Sequence, residues 1–315
     1  MKSIAIIIPF FGNWPEWIDL FFNSCKRNET INFIFFTDCE IKQNLGKNLK
    51  FIPISFAKYN EHVSHKLNIN FAPDNAYKLC DLKPFYGFIH KDLFKSYDFF
   101  GFGDLDLIWG DIRHFITEDI LSKYDVITTH DDRISGHLTL FKNNEDNRTK
   151  VFKIKDWQKK IEAKKMVTIT ENFLTRKYFP IFNLNVFIKK VLRRIIGREK
   201  VILINNNINK LYKKTSNYKK RKLYFKEQYT TPLTYIYWLD KTLHDKQPDT
   251  WFYENGVITN ERDIGKIFIY IHFMNFKSGK YKKDGRKHWQ SGFYNVSEND
   301  TTSKIKINKE GIFQK

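Results

Sequence analysis

Two carboxylates separated by one residue, Asp104 and Asp106, stand inside residues 97–113, which read Tyr-Asp-Phe-Phe-Gly-Phe-Gly-Asp-Leu-Asp-Leu-Ile-Trp-Gly-Asp-Ile-Arg. A bare Asp-x-Asp triplet is expected about once by chance in a chain of this composition, so the surroundings must carry the reading. An aromatic run ending at Gly103 precedes the pair and has the composition of a buried strand. Leu107, Ile108 and Trp109 follow, and then Gly110 and Asp111, where Asp111 can N-cap a helix. If the extended backbone persists through the pair, Asp104 and Asp106 point to one side and Leu105 points into the core. Such a claw at a strand's carboxyl end suits a divalent metal holding a substrate phosphate; the bland alternative is a surface turn.

The elements that must position this pair can be read from periodicity. Residues 4–8 are a continuous aliphatic run, the mark of a strand buried on both faces. Residues 14–26 have apolar positions at helical spacing, with Asn13 as N-cap and Pro15 in the first turn. Residues 31–37 and 51–54 read as further strands, so the opening is β-α-β and predicts a parallel sheet with Asp38 and the Phe10 loop at its carboxyl edge. Residues 75–94 read as helical with a break near Pro84, 112–121 as a helix, and 124–129 and 138–142 as strands. Asp131, Asp132 and Arg133 form a polar turn, and Gly136 lets a sugar or phosphate approach the backbone. Helices are expected over 156–166 and 186–196, and strands over 267–273 and at the C-terminal end. The fold class is α/β: a Rossmann-type mixed sheet flanked by helices, with a helical, basic insertion in the C-terminal half.

Composition narrows the function classes. With 42% hydrophobic residues in 315, the chain can bury a substantial core and is not a disordered type. Three cysteines without metal-ligand spacing give no support to a disulfide framework or a zinc site, and a reducing cytosol fits. No apolar run approaches the ~20 residues of a membrane span. Pro9 interrupts the first apolar run and no small-residue cleavage site follows it, so it reads as a strand and not a signal peptide. The net charge of +19 with 17% aromatics raises nucleic acid as a partner. Residues 176–226, however, hold 16 Lys or Arg and one acid, Glu199, so a single stretch carries +15 of the total. Lys189, Lys190, Arg193 and Arg194 among Ile, Val and Leu make a basic amphipathic helix, suited either to an anionic membrane surface or to core packing with a solvated cationic face.

Ile-Pro-Phe-Phe-Gly at the start, Phe-Thr-Asp ending at Asp38, Lys-x-x-Asp at Lys78 and Asp81, Gly-Asp-Leu-Asp, Ser-Gly-His-x-Thr-Leu-Phe-x-Asn from Ser135, and a late His-Phe at His272 together resemble bacterial GT-A fold glycosyltransferases. Among these they resemble a glycosyltransferase-like family from polysaccharide gene clusters, of the lipopolysaccharide O-antigen and capsule kind. The likeness runs in good order from Ile4 to about Asn143, then thins; residues 176–226 have no counterpart in it. The resemblance implies a nucleotide-sugar donor, a uridine diphosphate sugar, with Pro9, Phe11 and Asp38 around base and ribose, Lys78 and Asp81 holding the nucleoside, and Gly136 and His137 near the sugar. Asp104 and Asp106 would bind Mn2+ or Mg2+, and His272 would match the C-terminal metal ligand, the alternative for it being a satisfied core histidine. Residues 1–150 then form a donor half and 151–315 an acceptor half carrying the basic insertion, within one continuous domain.

Inverting transfer needs a carboxylate to deprotonate the acceptor hydroxyl, whereas retaining transfer does not. Glu227 in the acceptor half and Asp131 or Asp132 near the donor sugar are the candidates. Breaking a glycosyl-phosphate bond also calls for a Lewis acid at the departing diphosphate. The expected activity is metal-dependent hexosyl transfer to a glycan or lipid-linked acceptor by a cytoplasmic enzyme, peripheral on the membrane's inner face. A nucleic-acid-binding protein explains the charge but not the aspartates, so nucleic acid is the less expected partner. A metal-dependent sugar-phosphate transferase would also need the Asp pair.

Overall fold

Alternation along the first strand sets the layering. Ile4, Ile6 and Ile8 join one apolar cluster, while Ala5 and Ile7 join the other, so β1 (Ile4–Ile7) is covered on both faces. The computed structural model describes residues 1–15, 17–42, 45–130, 133–178, 182–197, 200–201, 223–225, 248, 250–272, 304–308 and 311–314. The further strands are β2 (Ile31–Thr37), β3 (Leu49–Pro53), β4 (Phe99–Gly103), β5 (Leu107–Trp109), β6 (Val126–Thr128), β7 (Leu138–Lys142), β8 (Leu223–Phe225), β9 (Trp251–Glu254), β10 (Val257–Asn260), β11 (Tyr270–His272), β12 (Ile305–Asn308) and β13 (Gly311–Gln314).

The large sheet has the order β3-β2-β1-β4-β7-β6-β8. Its first four strands run parallel, β7 pairs antiparallel with both β4 and β6, and β8 lies parallel to β6. Helix α1 (Ile18–Lys26) buries Phe21, Phe22 and Cys25 on one face of it; helix α2 (Phe56–Leu67) buries Tyr59, Val63 and Leu67 on the other. This is the expected mixed sheet flanked by helices. β5 and β11 form a separate antiparallel pair, and β10-β9-β12-β13 a small antiparallel sheet. Strands from both halves of the chain therefore share ladders.

Some boundaries differ from the sequence expectation. Helix α1 begins at Ile18, not after Asn13, because the preceding tryptophans are tied elsewhere: Trp14 Nε1 donates to the Glu40 carbonyl at 2.7 Å and Trp17 Nε1 to the Leu105 carbonyl at 2.9 Å. Helix α2 was not expected from the periodicity. Residues expected as one broken helix over 75–94 form a 3-10 helix, Ala76–Phe85, and a short α-helix, Tyr86–Ile89. Pro84 lacks the N–H a continuous α-helix would use. Asp111 is the expected N-cap, accepting from His114 N at 3.1 Å, but its helix stops at Phe115 and a second starts at Glu118.

Candidate active site and metal centre

The β4 ladder ends at Gly103, so Asp104, Leu105 and Asp106 form a loop between β4 and β5, not a continued strand. Leu105 is buried all the same, and Trp17 holds its carbonyl. The two aspartates thus stay on the same side although the strand has ended. Antiparallel pairing of β11 with β5 sets His272 opposite Leu107, beside Asp106. One ligand atom each from Asp104, Asp106 and His272 lie within 4.8 Å of one another. Asp106 and His272 are buried and Asp104 is partly open to solvent.

Two carboxylate oxygens and one imidazole nitrogen fit a divalent cation of the Mg2+ or Mn2+ kind, and the imidazole favours Mn2+ over Mg2+. The surroundings hold the three ligands from behind. Lys83 ion-pairs with Asp104 Oδ1 and donates to the Gly136 carbonyl at 2.8 Å. Burial opposes the Lys83 charge, but the adjacent Asp104 carboxylate, together with Cys80 and Glu171, outweighs it and holds the ammonium's pKa above its ordinary value. His137 stacks on His272 with ring centroids 4.4 Å apart. Its Nδ1 shares a hydrogen bond with Ser135 Oγ at 3.0 Å, and its Nε2 with Tyr270 Oη at 2.7 Å and Thr129 Oγ1 at 3.1 Å. Burial, followed by His272, pushes its pKa well below the histidine range, so His137 is a neutral platform under the ligand. Tyr270 and His272 come from one face of β11, as residues two apart in a strand must.

The other sequence-predicted residues fall in different places. Asp38 is exposed, accepts from Gly12 N at 2.7 Å, and lines an open cleft with Thr37, Cys39, Ile54, Ser55 and Lys58 at the carboxyl ends of β2 and β3. Pro9 is part-buried in the loop that follows β1. Phe11 is a core residue instead of a surface contact, its ring 5.2 Å from those of Phe56 and Tyr59. Lys78 and Asp81 are also buried, paired at 2.9 Å, and do not face the cleft. Lys78 Nζ donates to the carbonyls of Lys160 and Lys165, while Asp81 accepts from Val167 N and Ile169 N. The pair fastens residues 160–169 to the 3-10 helix. Glu227, Asp131 and Asp132 lie outside the described residues.

One residue of the site had no sequence signal. Glu171 sits on a π-helix, Ile169–Leu174, and its carboxylate packs over Gly136; a Cβ at position 136 would lie 2.2 Å from Glu171 Oε1. The space expected to admit a sugar or phosphate at Gly136 is filled by this side chain. Burial raises the Glu171 pKa; its own backbone N–H and Lys83 act against that, while Asp104 adds to it.

Sequence comparison with curated proteins finds no match. Among solved structures, the galactosyltransferase LgtC in complex with donor and acceptor sugar analogs is similar at 13% identity, over 56% of this chain and 70% of that one, with a TM-score of 0.33. The glycosyltransferase GlyE of Streptococcus pneumoniae TIGR4 is similar at 14% identity, over 57% of this chain and 43% of that one, with a TM-score of 0.32. Likeness at that level is loose and assigns no residue a role. The sequence match is of another order of coverage: residues 6–312 follow the pattern of one family from the first strand to the last, and the chain belongs to that family of unknown function, DUF6625.

Proposed function

We propose that the chain is a metal-dependent glycosyltransferase that moves a hexose from a uridine diphosphate sugar to a glycan or lipid-linked acceptor in the synthesis of a bacterial surface polysaccharide. The observation that carries the reading is the convergence of Asp104, Asp106 and His272 at the crevice beyond the parallel strands. Those three residues would hold the cation, which when bound supplies positive charge to the departing diphosphate. Lys83 keeps Asp104 in place and adds a fixed cation behind it. Stacked under His272 and held by three hydroxyls, His137 fixes the orientation of that ligand. Asp38 and its cleft are the place for the nucleoside, and Pro9, in the loop after β1, would complete it. Residues 1–150 would bind the donor and 151–315 the acceptor.

Incubation with Mn2+ and a panel of uridine diphosphate sugars tests the reading. Glycosyl transfer breaks the bond between the sugar and the diphosphate and releases UDP. A sugar-phosphate transferase acting at the same metal would release UMP, and turnover of no nucleotide sugar contradicts both.

A lipid-linked acceptor requires work at a membrane face. Among the described residues no helix is long and apolar enough to cross one. Helix Phe182–Ile196 instead exposes Phe187, Ile188 and Ile195, with Lys190, Arg193 and Arg194 exposed around the rest of its circumference. A peripheral seat on the anionic cytoplasmic leaflet accounts for both halves of that helix.

A further inference from the structure

Glu171 belongs to a segment held with unusual care. The buried Lys78–Asp81 pair makes four hydrogen bonds to the backbone of Lys160, Lys165, Val167 and Ile169, and the last of these residues begins the π-helix that carries Glu171. Thr168, just before it, adopts a left-handed conformation at φ 54°. A π-helix is rare overall but frequent at functional sites. The aim here is at Gly136: a Cβ at that position would lie 2.2 Å from Glu171 Oε1, so a side chain there would have to push the carboxylate aside. Gly136 in turn gives its carbonyl to Lys83, and Lys83 pairs with Asp104. One glycine therefore separates the Glu171 carboxylate from the lysine that holds a metal ligand.

This placement works against stability. A partly buried carboxylate near another carboxylate favours its neutral form, as the raised Glu171 pKa reflects, burial being the larger cause. Groups set up in that way concentrate where chemistry needs them. Glu171 is also a carboxylate in the second half of the chain that the described fold brings to the crevice.

Resting on the glycosyltransferase reading, we infer that Glu171 is the general base that activates the acceptor hydroxyl. The acceptor oxygen bonds to the anomeric carbon while its proton passes to a Glu171 carboxylate oxygen. The bond between the anomeric carbon and the diphosphate breaks, its electron pair leaving on the diphosphate oxygen. The proton is later lost from Glu171 to solvent. A base at this position makes the transfer an inverting one.

The test uses two substitutions, Glu171→Gln, which keeps the shape and removes the base, and Gly136→Ala, which keeps the base and displaces it. Release of UDP from the best donor of the panel, with Mn2+ and with water taking the acceptor hydroxyl's place, is measured across pH beside calorimetric binding of UDP with Mn2+ and the melting temperature. In both variants turnover is expected to fall at least about a hundredfold, a size within the reach of general base catalysis. UDP binding should stay within about threefold of wild type, and in Glu171→Gln the acid limb of the pH profile should disappear. Glu171→Gln turnover within tenfold of wild type, with an unchanged profile, overturns the inference and leaves the glycosyltransferase reading standing. So does a loss of UDP binding that matches the loss of turnover. A wild-type protein that releases UDP from no donor overturns the reading itself, and the inference with it.

Discussion

His272 Nε2 and Asp106 Oδ2 stand 3.6 Å apart because the ladder partner of His272 is Leu107, the residue that follows Asp106. That separation is too long for a hydrogen bond but suits two ligands of one ion. Atoms each about 2.1 Å from an octahedral cation lie about 3 Å apart at right angles and about 4 Å apart when opposed. The proposed metal centre thus depends on the pairing of β11 with β5, which brings in one of its three candidate ligands.

The Lys78–Asp81 pair is predicted to be a stability element. Replacing Lys78 by Ala leaves a buried carboxylate without its cation, and replacing Asp81 by Ala leaves a buried ammonium and frees the amides of Val167 and Ile169. Each single change should cost about 3–5 kcal/mol in urea unfolding. The double change to apolar residues of similar size should cost less than either. Single mutants of wild-type stability but with weakened UDP binding would return the pair to the nucleoside.

Stability should fall on the acid side through His90. This ring is buried, hydrogen-bonded with Tyr59 Oη at 3.0 Å and stacked 4.5 Å from Phe36; burial, then His62 and Lys66, depress its pKa. Its ordinary unfolded value is about 6.5, so below that pH the unfolded chain binds a proton that the folded chain refuses. The stability this group contributes is intact above about pH 6.5 and declines by about 1.4 kcal/mol for each unit below it. His137 acts in the same direction. Urea unfolding of His90→Gln between about pH 7.5 and about pH 5.5 should show a loss smaller than wild type by roughly that amount. Equal slopes would contradict it.

Helix Phe182–Ile196 is predicted to bring the protein to anionic vesicles at low salt in a flotation assay. Each cation near the surface contributes about 1 kcal/mol, so replacing Lys190, Arg193 and Arg194 by Gln should weaken partitioning roughly a hundredfold. Release of UDP from a donor in solution should be unchanged. Wild-type protein that ignores such vesicles ends the membrane proposal.

What could be read from the sequence was what local pattern determines. Residues 31–37 and 138–142 were bounded correctly, because each is an apolar run flanked by polar or turn-forming residues. The Asp104–Asp106 pair was legible through its aromatic strand and the Asp111 cap, and the strand bearing His272 through its aromatics. Helix α2 was not, since only Tyr59, Val63 and Leu67 are buried, a stripe one residue wide between charged neighbours. Phe11 and the Lys78–Asp81 pair were misplaced for a different reason: an apolar or charged residue after a strand has the same local signature whether it faces a ligand or packs inward. Glu171 left no trace, because a π-helix has no period to recognise and its contact with Gly136 joins distant parts of the chain.

The central claim is a metal-dependent nucleotide site built by Asp104, Asp106 and His272, and calorimetry of UDP binding with and without Mn2+ tests it most directly. Wild-type protein should bind UDP with Mn2+ at least about tenfold more tightly than without it, the reach of one lost ligand or support at a metal site. Asp104→Asn, Asp106→Asn and His272→Ala should each abolish that difference without unfolding the chain. UDP binding that ignores Mn2+, or a Mn2+ effect that survives in all three variants, would contradict the account.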